Sequence, residues 1–106
     1  MENIGDKIKE VINGIDKTTD LFYQNKINDG YIQLENMLFT INETVNAISN
    51  YKKNIDNNCC FDENKLNTIL TEAMNALEVR DSLLLADILQ YDLKEMFVEV
   101  NTKINN

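Results

Sequence analysis

Two sets of side chains in this sequence are of types that could do chemistry. Cys59 and Cys60 are neighbours in the stretch KKNIDNNCCFD. Thiolates bind soft metals and exchange with disulfides, so a pair raises the question of a metal or redox sensor. Adjacency works against both. A disulfide between neighbours strains the peptide that joins them. Thiol metal sites use a two-residue spacing, and no second cysteine pair and no histidine exists to complete one. In a reducing compartment the pair reads as two free thiols on a loop, with a thiol-based metal or redox sensor as the alternative. The second set is Asp92, Glu95 and Glu99, three and four residues apart. On one helix face they could hold a cation or move a proton. With Lys94 and Lys103 close by, they read as a solvated acidic face.

The chemistry that is missing is more decisive. The chain has no histidine. This excludes the Glu-x-x-His di-iron bundle, the zinc hydrolase helix, and any Ser-His-Asp or Cys-His nucleophile. Gly5, Gly14 and Gly30 each stand alone, so no glycine-rich phosphate loop exists. The expectation is a protein that is not an enzyme and needs no cofactor or metal.

Charge narrows the partners. Ten Lys and Arg are scattered among eighteen Asp and Glu, for a net charge of −8. Neutralising phosphates needs clustered cations, so nucleic acid and anionic membrane surfaces are poor partners. The longest strictly apolar run, Leu83-Leu84-Leu85-Ala86, falls far short of the ~20 residues that span a bilayer. The start, MENIGDKIKEVING, is charged where a signal peptide would be apolar. These features lead to an expected cytoplasmic location.

The elements that carry these residues follow from hydrophobic spacing. One domain, residues 1–106, is expected to hold four helices. The first covers about 3–24, with Ile4, Ile8, Val11, Ile15 and Phe22 in line, polar Thr18 interrupting, and Gly14 a candidate kink. The second covers about 27–51. Its seam is Ile27, Tyr31, Leu34, Leu38, Ile41, Val45 and Ile48, and Asn25 or Asn28 could cap its start. A loop over 52–62 leads to Asp62, a good cap for a third helix over about 63–79. Its apolar face is Leu66, Ile69, Leu70, Ala73, Ala76 and Leu77. The fourth covers about 82–103, capped by Asp81 or Ser82, with Ala86, Leu89, Leu93, Met96, Val100 and Ile104 in line and a fraying tail at Asn105-Asn106. The connections near Asn25-Lys26 and Arg80-Asp81 are very short, which forces antiparallel neighbours. The architecture expected is all-α: an antiparallel four-helix bundle made of two helical hairpins.

The stretches LFYQNKINDGYIQLENMLFTI, residues 21–41, and AMNALEVRDSLLLADILQYDLKEMF, residues 73–97, resemble a family of short, uncharacterised helical proteins of Firmicutes. The likeness covers less than half of the chain and rests on helix-hairpin patterns. The hairpin at 21–41 also resembles those of flagellar type III export chaperones, small acidic bundles that hold aggregation-prone subunits. That resemblance implies binding of an amphipathic segment of a client, and it carries over no client-binding residue.

A second stripe on the fourth helix exceeds the needs of a bundle. Leu84, Ile88, Tyr91 and Val98 form it, broken by Glu95; Ile32 and Phe39 lie off the seam of the second helix. A helix apolar all round is normally buried on all sides, and an outer bundle helix is not. Either the stripe completes an internal core, or it is a patch for a second copy or a partner helix, with Tyr91 and Phe39 as anchors. The second option defines the expected function: a non-enzymatic interaction module, chaperone-like or adaptor, with a homodimer through the last helix as one form of it. An acidic rim would favour a partner with basic flanks.

Overall fold

The computed structural model describes residues 4–54 and 62–105. All the regular structure among them is helical. Helix α1 is Ile4–Tyr23 and α2 is Ile27–Asn54. Helix α3 is Glu63–Glu78. The last helix, α4, covers residues 82–105 as an α segment Ser82–Asp87, a π turn Ile88–Leu93 and a second α segment Lys94–Asn105. The four make an antiparallel bundle of two hairpins, as the sequence predicts.

Both hairpins turn by the same device. Lys26 N–H donates to Leu21 O (2.8 Å) and Asn25 N–H to Phe22 O (3.1 Å). Asp81 N–H donates to Ala76 O (2.9 Å) and Arg80 N–H to Leu77 O (3.1 Å). Each is a paired six-to-one and five-to-two closure, with a residue in the left-handed region at its centre. Those residues are Asn25 (φ 64°) and Arg80 (φ 58°). Asp81 then caps α4, its carboxylate accepting from Leu84 N–H at 3.0 Å. Asp62 caps α3 by accepting from Asn64 and Lys65 N–H (3.0 and 3.1 Å). Neither Asn25 nor Asn28 heads α2: the first sits inside the turn and the second inside the helix.

Helix α1 is central. It lies along α2 on one side and α4 on the other, while α3 lies on α4. The core is built from Ile8, Val11, Ile15 and Phe22 of α1, Ile41 and Ile48 of α2, Leu66, Ile69 and Ala76 of α3, and Leu85, Leu89, Leu93 and Phe97 of α4. Helix α1 runs unbroken through Gly14. That glycine makes room instead, since a Cβ there would stand 3.1 Å from Met37 Sδ. Gly30 does the same on α2, where a Cβ would stand 2.6 Å from Cε1 of the buried Phe22.

These close approaches rotate α2 away from its expected seam. Leu34, Ile41 and Ile48 are buried as predicted, but Gly30, Met37 and Thr44 are buried beside them and Leu38 is half exposed. A second cause is that, among the described residues, α2 packs chiefly against α1. Among the described residues α3 scarcely approaches α2, so the seam's far side is open. Two of the buried threonines are satisfied locally. Thr18 donates to Gly14 O (2.8 Å) and Thr44 to Thr40 O (2.7 Å), bonds to the preceding turn that let a hydroxyl enter apolar surroundings.

Candidate docking grooves

Helix α4 lies between α1 and α3, which makes its buried arc wide. Leu85 and Ala86, Ile88 and Leu89, and Met96 and Phe97 are buried as adjacent pairs. The π turn contributes to this. Its Lys94 N–H reaches back five residues to Leu89 O, adding one residue to the turn and rotating the later residues around the helix axis. Leu85 and Phe97, both at most 1% exposed, each stand four residues from a member of the expected line, Leu89 and Leu93, and join it in the core.

The second stripe is therefore divided. Ile88 is buried (6% exposed) and belongs to the core, because α3 covers it. Leu84 (47%), Tyr91 (66%) and Val98 (43%) remain exposed. Leu84, Ile88 and Tyr91 form one wall of a groove of ≈ 610 Å³ between α3 and α4. Ala76 of α3 and Val79, which caps its C-terminal end, form the other; Val79 is 73% exposed, and the small Ala76 leaves depth between the helices. Val98 lies beyond this groove.

Ile32 and Phe39 are exposed as well, at 58% and 69%, but the structure does not join them to the first three. Ile32 lines a different groove of ≈ 620 Å³, where α2 and the end of α3 stand apart, together with Tyr31, Leu38, Leu77 and Arg80. Phe39 lines neither groove. The Tyr31 ring packs edge-on against Phe22 (centroids 5.1 Å apart, planes at 69°), and its buried hydroxyl has no hydrogen-bond partner among the described residues.

Charge is distributed unevenly around α4. On the α1 side, Lys94 Nζ meets Asp16 Oδ1 at 2.8 Å, so this lysine turns away from Asp92, Glu95 and Glu99 rather than toward them. The Thr19 hydroxyl lies 3.1 Å from both Asp16 O and the Gln90 side-chain amide. It has one proton to give, so turning the NH2 of Gln90 toward it satisfies both contacts. On the α3 side, Tyr23 OH donates to Asp87 Oδ1 at 2.6 Å, beside the groove that Asp87 lines. That hydrogen bond, helped by partial burial and the nearby negative charge of Asp87, pushes the Tyr23 hydroxyl up to about 12. Sequence spacing holds no sign of this contact, which joins residues 64 positions apart.

Among the described residues no group of three or more His, Cys, Asp or Glu could hold a metal ion. No helix among them is long and apolar enough to cross a membrane. Cys59 and Cys60 lie outside the described residues, as does the side chain of Ile104.

The family described as Domain of unknown function (DUF8042) matches residues 1–103, and the chain belongs to it. No curated protein and no solved structure matches the chain.

Proposed function

We propose that the chain is a non-enzymatic interaction module, adaptor or chaperone-like, that receives a helix of a protein partner in the groove between α3 and α4. The observation that carries this reading is the groove itself. Leu84 and Tyr91 of α4 and Val79 at the end of α3 are exposed along a trough that Ala76 and Ile88 also line. Large apolar side chains flanking a trough are the means by which a helix is seated, through anchors three, four and seven residues apart. Exposed aromatics such as Tyr91 tend to dominate the energy of such contacts. The lack of histidine and of any glycine-rich phosphate loop supports a binding role over a catalytic one.

The reading is tested with a displayed library of amphipathic helical peptides and the pure protein, followed by fluorescence anisotropy on the peptides recovered. Binding should be lost on Leu84→Asp plus Tyr91→Asp while the helical circular dichroism is unchanged. Recovery of no peptide, or of peptides indifferent to this double substitution, counts against the groove. The thiol alternative rests on the sequence alone; ordinary alkylation kinetics and no zinc uptake at Cys59 and Cys60 would end it.

A further inference from the structure

We infer that the occupant of the α3–α4 groove is a cationic amphipathic helix from another protein, and not a second copy of this chain; the inference rests on the helix-docking reading above. Every charged residue among those that line the groove is a carboxylate: Glu72 on the α3 wall, Asp87 and Asp92 on the α4 wall. The hairpin is antiparallel, so the groove has polarity. Val79 and Leu84 flank the end nearest the turn at Arg80 and Asp81, and Glu72 and Asp92 flank the far end. Asp87 sits between them, its carboxylate held at 2.6 Å by the Tyr23 hydroxyl reaching over from α1. An occupant helix would then set apolar anchors on Leu84, Tyr91 and Val79 and place Lys or Arg against acidic groups on both walls.

A second copy does not meet that description. A two-fold dimer apposes the same patch from both molecules. Here it would gather the three carboxylates of each copy into one interface, with no Lys or Arg in either lining. Like charges facing each other across an interface oppose association, and the net charge of −8 opposes it further. A cationic helix removes the repulsion and is steered toward the groove by the same field.

The test uses the full chain and two synthetic helical peptides with the same leucine stripe, one flanked by lysines and one by glutamates. A scrambled lysine peptide of equal composition is the third probe. Fluorescence anisotropy should show the lysine peptide binding at least about tenfold tighter than the other two. Raising the salt from about 0.05 to about 0.5 M should remove most of that preference. Glu72→Gln, Asp87→Asn and Asp92→Asn combined should equalise the lysine and glutamate peptides without loss of helical structure. Equal binding of those two peptides by the unaltered chain overturns the charge inference and leaves the docking reading standing. Binding of the scrambled peptide as tightly as the ordered one overturns the inference as mere attraction to a polyanion. Binding of neither striped peptide overturns the docking reading and the inference together. A dimer in light scattering that dissociates on Leu84→Asp overturns the choice of occupant.

Discussion

The hydroxyl of Tyr23 holds its proton more tightly in the folded chain than in a free tyrosine, about 12 against 10.0, first because it donates to Asp87. The folded value is the raised one, so the contact's stabilising effect is whole below about pH 10 and is lost as pH rises toward 12. Tyr23 is 46% exposed, so solvent screening keeps the effect small. Phenolate absorbance, with Tyr23→Phe as the subtraction reference, should place Tyr23 near 12 and move it back toward 10 in Asp87→Asn. Titration at one pH in both proteins would contradict the assignment. The two buried-side glycines separate just as cleanly. At Gly30 an added Cβ meets a ring locked edge-on against Tyr31. The overpacking outweighs alanine's better helix propensity, so Gly30→Ala should lose about 1–2 kcal/mol net. At Gly14 the neighbour is the thioether of Met37, which is unbranched and can give. Gly14→Ala should therefore be neutral or gain up to about 1 kcal/mol in urea denaturation. A loss at Gly14 as large as that at Gly30 would refute the distinction.

At the scale of elements, the two helix-ending turns are built alike but filled differently. Arg80 occupies a left-handed position that costs an L residue about 1–2 kcal/mol, only part of which the greater chain freedom of glycine takes back. Arg80→Gly should raise stability by about 0.5–1 kcal/mol, with a smaller gain for Asn25→Gly because asparagine tolerates this region. Asp81→Ala should lose about 1 kcal/mol with the α4 cap. Urea midpoints check all three, and a destabilised Arg80→Gly would show that the arginine side chain holds the turn by other contacts. The helices and both short turns are legible in the sequence because they depend on local spacing and on capping residues such as Asp62. The features that are not legible depend on neighbours. The seam of α2 reads differently once Gly14 and Gly30 let α1 come close, and once α3 stays off α2. Thr18 interrupts a hydrophobic pattern on paper, yet it is fully buried because the preceding turn supplies its acceptor. The π turn adds a residue that no constant period contains, so the residues after it turn less far around the axis than spacing predicts. Spacing leaves open whether the second stripe is buried or exposed, since it defines a face but not the helix that covers it; Ile88 is buried, while Leu84, Tyr91 and Val98 are exposed.

Across the whole molecule, the α3–α4 groove divides folding from binding along one helix, and the division is measurable. Ile88 is 6% exposed and packed under α3, whereas Leu84 and Tyr91, four residues before it and three after, are 47% and 66% exposed. If the fold depends on the first and leaves the others for a partner, charge at the two kinds of position must have opposite consequences. Ile88→Glu places a carboxylate in an apolar interior without a partner and should unfold the chain or cost several kcal/mol, about 3 or more. Leu84→Glu and Tyr91→Glu place theirs in solvent and should each change stability by no more than about 0.5 kcal/mol. Thermal melts followed by circular dichroism read all three, and light scattering on the two folded variants should match the unaltered chain. If Leu84→Glu and Tyr91→Glu destabilise as much as Ile88→Glu, the exposed part of the stripe serves the fold, and the groove loses its standing as a surface left over for another protein.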